Sequence, residues 1–391
     1  MIHVTGLFTF VLALAATDVS PKSQYEALVK EYDTTYVAYI DASKKASTDD
    51  DRLKAAESRP NRQLFVPRFV AFAEQHPDDP AAIDALIWIA SHCMFIPQGE
   101  QALKTLASRH SASQQVAAYA GMASRYGEAF LAYEELLRAV LKSNSDREVQ
   151  ASVCLTLAAY LKWVKNRAES TLIQISLHGE RGLAPATLVN LNQLKERGFD
   201  SLAAESEALF ERVIKEYGDV RIVDNYPQEA GKYAKEQLYE LRNLSIGNKA
   251  LEIVGTDISG NPLKLSDYRG QIVLLDFGSH RTCGVCRQFY PGLRSLVERF
   301  KQTPFTLISI NSLDDLDELK GLANNKEITW RMVWDGEAMD GPIASQWMIR
   351  SMPTFYVLDH NGMIRNKGFI QVDELAGTIE MLLKEVTATK P

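Results

Sequence analysis

From about residue 22 to residue 244 the apolar side chains recur at helical spacing, and short polar breaks, QHPDDP, KSNSD, KERGFD and KEYGDV, separate the runs. A stripe that returns every 3.6 residues is one a helix must bury, so this stretch predicts an all-α region. In LFVPRFVAFAEQHPDDPAAIDALIWIASHC two apolar helices flank a turn that holds Pro77 and Pro80, with Asp78 or Asp79 as the N-cap of the second. The segment ALFERVIKEYGDV followed by EAGKYAKEQLYELRNL repeats that logic. Helix pairs of this kind resemble a tetratricopeptide-like array, although the consensus positions of that repeat are not clearly present.

The pattern changes at LSIGNKALEIVG, where helical spacing gives way to β-branched residues and turns, which predicts a boundary near residue 245. Beyond it, Ser259, Gly260, Asn261 and Pro262 lie between two apolar segments and predict a hairpin. QIVLLDF is a continuous apolar run suited to the buried centre of a sheet. CGVCRQFYPGLRSLVERF then predicts a helix, FTLISIN a strand, DDLDELKGLANN a helix, ITWRMVW a strand and GPIASQWM a helix. MPTFYVLD and MIRNKGF form a second hairpin around His360, Asn361 and Gly362, and Leu375, Ile379, Leu382, Leu383 and Val386 mark a closing amphipathic helix. The expected fold class is α+β in two domains, residues 17–244 helical and residues 245–391 built on a central mixed sheet flanked by helices.

Length and composition narrow this further. A chain of 391 residues, 46% hydrophobic and 24% charged, is too apolar to be disordered and long enough for two or three domains. The net charge of −7, from 43 basic and 50 acidic residues, offers no basic footprint for nucleic acid or an anionic membrane. The first residues carry an apolar run, Leu7 to Ala16, too short to span a bilayer and followed by Asp18, with Ala13 and Ala15 as a small-x-small site. An export signal over residues 1–16 is therefore expected, despite the absence of Lys or Arg before the run, with no membrane association once it is removed.

Four cysteines cannot make a disulfide scaffold in a chain of this length, but two of them, Cys283 and Cys286, form CGVC just beyond the apolar strand and at the start of the next helix. A helix N-terminus stabilises a thiolate through its dipole and free backbone N–H groups. That makes Cys283 the attacking thiol and Cys286, one turn further in, the resolving one, for exchange with a partner disulfide through a mixed disulfide. His280, Arg281 and Arg287 bring positive charge nearby, either to favour the thiolate or as solvated loop charge. HxxCxxC around His280 has no evident fourth ligand, and no nucleotide-binding, zinc-protease or serine-hydrolase string is present, so neither metal nor cofactor is expected.

GNPLKLSDYRGQIVLLDF, the CxxC with Pro291 five residues after it, and SMPTFYVLDHNGMIR, in that order, resemble the thioredoxin-like superfamily, and within it thiol-disulfide oxidoreductases of the TlpA/ResA type, adjacent to the AhpC/TSA family. The resemblance covers residues 245–388 and implies a thioredoxin fold, protein thiols and disulfides as substrates, an upstream redox partner, and a bacterial periplasm or cell envelope as the compartment. It further implies a cis proline at Pro353, with Met352, Pro353 and Thr354 receiving a substrate strand beside the cysteines. Asp276 matches the buried acid that takes the resolving thiol's proton, and its other role is to cap loop N–H groups at the strand end.

Departures from the family are also visible. Cys283 stands seven residues after Asp276 where six is usual, the aromatic residues before the cysteines are replaced by GSHRT, and a typical Glu after the second cysteine is Phe289. The loop must therefore be rebuilt, and a binding or scaffold module that has lost turnover is the main alternative; a peroxiredoxin-like peroxidase is weaker, since its proline-containing loop before the cysteine is absent. Cys93 and Cys154 lie among apolar helical residues and are expected as small core hydrophobes. The tryptophans Trp330, Trp334 and Trp347 are expected to pack, and Asp314, Asp315, Asp317 and Glu318 to complement the dipole of the following helix. The helical half is expected to hold a partner protein or contribute to dimerisation.

Overall fold

The computed structural model describes residues 19–93, 96–122, 131–222, 228–336, 339 and 341–388. The expected export signal lies outside the described residues. By contact the chain divides into two compact units, one formed by segments before Gln150 and the other essentially by the chain from Gln150 onward. No described helix is long and apolar enough to cross a membrane.

The first unit is helical: α1 (Pro21–Lys45), α2 (Asp49–Glu57), α3 (Arg62–Gln75), α4 (Pro80–His92), α5 (Pro97–Arg109), α6 (Gln114–Met122) and α7 (Leu131–Ser143). The turn between α3 and α4 forms as its residues dictate: the Asp79 carboxylate accepts the Ala81 N–H at 2.8 Å, and Pro80, which has no N–H to leave unpaired, opens the helix. Aromatic rings fill the core, with Trp88 stacked on Phe69 at 3.9 Å and Tyr32 edge-on to both Phe65 and Trp88. Cys93 is a buried free thiol that burial pushes up to about 11.

The second unit begins with four more helices, α8 (Arg147–His178), α9 (Pro185–Arg197), α10 (Phe199–Glu216) and α11 (Ala230–Asn243). Between α10 and α11 a ribbon of two short strands, β1 (Arg221–Ile222) and β2 (Gln228–Glu229), interrupts the expected all-α region. Too short to announce themselves by alternation, they pair where Gly231 closes on Gly218, whose Cα stands 2.7 Å from where a Gly231 Cβ would be. Cys154 is also a buried free thiol, at about 11 by burial.

After α11 come the hairpin β3 (Val254–Thr256) and β4 (Pro262–Lys264), then β5 (Ile272–Gly278), α12 (Gly284–Phe300), β6 (Phe305–Asn311), α13 (Leu316–Asn324), β7 (Arg331–Trp334), α14 (Pro342–Gln346), β8 (Thr354–Leu358), β9 (Ile364–Gly368) and α15 (Val372–Ala388). The strands run β7-β6-β5-β8-β9, with β5, β6 and β7 parallel and β8 antiparallel to both β5 and β9. This is the expected mixed sheet with helices on its faces. Strand β5 is buried throughout and sorts its residues by alternation. Ile272 and Leu274 join α12, α13 and α15 in one core, while Val273, Leu275 and Phe277 join Trp347 and the β3–β4 side in the other. Asp276 has the parity of Ile272 and Leu274 and so points beneath α12.

The change of sequence pattern near 245 coincides with the end of α11, but packing is continuous across it within the second unit. The Glu240 carboxylate on α11 accepts from Lys162 of α8 at 2.5 Å and from Lys367 of β9 at 2.9 Å. Burial alone raises Glu240, yet these two ammonium groups outweigh it and hold the carboxyl at about 2. Gln174 of α8 donates to Glu374 of α15 at 2.8 Å, and Arg350 pairs with Glu236 of α11 at 2.7 Å.

Candidate active site

The end of β5 delivers the chain to the helix that carries the cysteines. Cys283 is the N-cap of α12, and its Sγ receives the Cys286 N–H at 3.0 Å, so a free helix donor is aimed at the first sulfur. The two cysteines are joined as a disulfide with Cα atoms 5.2 Å apart. Cys283 is half-buried, whereas Cys286 is only 3% exposed. One sulfur is thus within reach of a partner and the other lies beneath it.

The Met352–Pro353 peptide is cis, as the resemblance implied, and the Met352 carbonyl oxygen lies 3.6 Å from Cys283 Sγ. Pairing of Thr354 with Phe277 in the β8–β5 register brings this segment to the cysteines. Pro353 is buried, Met352 and Thr354 are half-buried, and Thr354 Oγ1 donates to the Ser351 carbonyl at 2.7 Å.

Asp276 sits below the disulfide, 5% exposed, and its Oδ2 accepts the Ser309 hydroxyl at 2.7 Å. Removal from water favours the neutral acid and pushes the carboxyl up from 3.8 to about 6, against the lowering influence of the Ser309 hydrogen bond. Gly278 leaves the space between acid and thiol open: a β-carbon there would stand 3.5 Å from Asp276 Oδ1 and 3.6 Å from Cys286 Sγ. Asp276 and Cys286 therefore share one small buried space.

The lengthened loop before Cys283 is held by Asp314, a member of the acidic run expected at the start of α13. Asp315 caps α13 as expected, accepting from the Asp317 and Glu318 N–H groups. Asp314 turns instead toward the cysteine loop. Its fully buried carboxylate accepts the Ser279 hydroxyl at 3.0 Å, the His280 N–H at 2.9 Å and the Arg281 N–H at 2.8 Å. Ser279 Oγ in turn receives the Thr282 N–H at 3.1 Å. The only hint in the sequence was one acid more than a helix start needs.

Of the neighbouring basic residues, Arg287 donates to the His280 and Arg281 carbonyls at 2.5 and 3.2 Å, which fixes its guanidinium at the loop. His280 stacks on Tyr290, with ring centroids 5.9 Å apart. Trp330 and Trp347 are buried as expected; Trp334 is 38% exposed, with its Nε1 donating to the Asp314 carbonyl. Among the described residues no cluster of ligand-type side chains able to hold a metal is found.

Residues 246–367 match the model of the AhpC/TSA family. Similar curated proteins include the thiol-disulfide oxidoreductase ResA of Bacillus cereus, 23% identical over 157 residues, which are 40% of this chain and 84% of that protein. ResA of Geobacillus kaustophilus is 25% identical over 122 residues, 31% of this chain and 68% of that one. Among solved structures, the thioredoxin domain of a thiol-disulfide oxidoreductase from Bacteroides vulgatus is 26% identical, with 36% of this chain and 99% of that domain covered and a TM-score of 0.33. With the family match lying over the sheet, the cis proline and the cysteine-bearing helix, the C-terminal part of this chain is a thioredoxin-like domain.

Proposed function

We propose that the protein is a thiol-disulfide oxidoreductase that exchanges disulfides with protein substrates through Cys283 and Cys286. The observation that carries this is the placement of the pair: a reachable sulfur capping a helix N-terminus, a covered sulfur beneath it, and a buried acid beside the second. In the reducing direction the Cys283 thiolate attacks a partner disulfide, one partner sulfur leaves as thiolate, and a mixed disulfide forms. Cys286 then passes its proton to Asp276 and attacks Cys283 Sγ, which breaks the mixed bond and closes the Cys283–Cys286 disulfide. The second partner thiolate takes up a proton on leaving. Two electrons move from the cysteine pair to the partner, and the reverse sequence oxidises a dithiol.

Met352, Pro353 and Thr354 are assigned to the strand of the bound partner, because the Met352 carbonyl lies against Cys283 Sγ at the cis bond and Thr354 leads into the sheet. An oxidising compartment outside the cytoplasm fits such chemistry, and an upstream thiol donor or acceptor completes the cycle. A Cys286→Ser variant tests the assignment. Mixed disulfides through Cys283, visible on a non-reducing gel and absent from the Cys283→Ser, Cys286→Ser double variant, are expected with a disulfide-bonded protein substrate. Failure of the single variant to accumulate them means that turnover through this pair does not occur.

A further inference from the structure

We propose that Ser309 and Trp330 are positioning residues that direct the proton of Asp276 to the one carboxylate oxygen facing Cys286. This deepens the exchange assignment above and rests on it.

The two oxygens of Asp276 meet different surroundings. Oδ2 lies 2.7 Å from Ser309 Oγ, and Ser309 Oγ lies 2.7 Å from Trp330 Nε1. An indole N–H can only donate, so it occupies a lone pair of the serine oxygen. The single serine hydrogen is then free to point only at Asp276. A chain of fixed polarity results, Trp330 to Ser309 to Asp276, in which Oδ2 acts as an acceptor. The oxygen left for a proton is Oδ1, which borders the space that Gly278 leaves open and that Cys286 Sγ borders from the other side. Ser309 and Trp330 are buried, which keeps water from competing for either bond.

The other groups around this acid do not replace the chain. From α12 it meets Cys286 and Tyr290; burial holds the Tyr290 phenol protonated, and the charges of Asp276 and Asp314 add to that. Arg287 and Glu327 act on Tyr290 in opposite senses. The β5 loop brings His280, which stacks on Tyr290, and the β8 partner of Asp276 is the apolar Phe355. When Cys286 attacks, its S–H proton passes to Oδ1, its sulfur forms the bond to Cys283, and the departing partner sulfur carries the electron pair of the broken bond.

The experiment follows the Asp276 carboxyl directly, by 13C NMR titration of the oxidised full-length protein labelled at aspartate, with Asp276→Asn identifying the resonance. Ser309→Ala removes the bond to the charged form, so the titration midpoint is expected to move up by about one pH unit or more. Ser309→Thr, which keeps the hydroxyl, is expected to restore it, and Trp330→Phe, which frees the serine oxygen to rotate, to move it up by a smaller step. An unmoved midpoint in Ser309→Ala overturns the relay. The exchange assignment is judged separately: if Asp276→Asn resolves mixed disulfides at the normal rate while the Ser309→Ala midpoint moves, the relay stands and the role of Asp276 in exchange falls.

Discussion

Replacing Asp276 by asparagine removes a charge from the second unit's core while keeping shape and the oxygen that receives the Ser309 hydroxyl. In the unfolded chain this acid titrates near 3.8, and in the folded protein near 6. Below pH 3.8 it is neutral in both states and costs nothing. Between the two values the folded state holds a proton that the unfolded state has released, so stability declines as pH rises, and the decline is complete once the pH exceeds about 6. The displacement corresponds to about 3 kcal/mol, at about 1.4 kcal/mol per pH unit. Because the carboxylate is buried, solvent screening does not reduce this greatly. Urea unfolding of the oxidised protein at a series of pH values reads the effect: Asp276→Asn is expected to gain on the wild type progressively from about pH 4, reaching about 3 kcal/mol above pH 7. If the two stability curves run parallel from pH 4 to pH 8, the acid does not titrate as its burial requires.

Other consequences are open to measurement. Glu240→Ala leaves Lys162 and Lys367 facing each other without their shared carboxylate and is expected to cost about 3 kcal/mol in urea unfolding followed by a probe packed on the sheet, such as Trp347 against Phe277 and Tyr356; a loss below about 1 kcal/mol means that the ion cluster ties nothing together. Asp314→Ala deprives three donors of their acceptor, so the His280 and Arg281 amides are expected to exchange hydrogen at least tenfold faster while those in the centre of β5 stay protected. Equal acceleration everywhere in the sheet would show general destabilisation and not release of the loop.

The sheet was readable because its physics is local. The run QIVLLDF can hardly be anything but a strand covered on both faces, and the turn glycines Gly270 just before it with φ 91°, Gly260 in the β3–β4 hairpin with φ 85° and Gly362 in the β8–β9 hairpin with φ 78° sit where a side chain would be strained. The cysteine pair and the cis proline were readable from motif and order. What escaped was set by long-range packing. That α8 and α11 share charges with β9 depends on pairing Lys162, Glu240 and Lys367, far apart in the chain, and no periodicity encodes it. The role of Asp314 is not legible, because an acidic run before a helix already has a sufficient local explanation. Ser309 lies in the middle of an apolar strand, where a lone small polar residue gives no sign of what it faces until Asp276 is placed opposite it by the β5–β6 register.

The Asp314 clasp bears on how relatives of this domain are recognised. Profiles that insist on a constant interval between the strand acid and the first cysteine penalise a lengthened loop as though it were damage. Here the added residue is matched by an anchor more than thirty positions downstream, which receives the displaced amides and leaves the sulfur at the helix tip. Loop length and anchor form one structural unit, and transplanting the CGVC segment into another scaffold without an acid at that distant position would carry over the letters but lose the geometry.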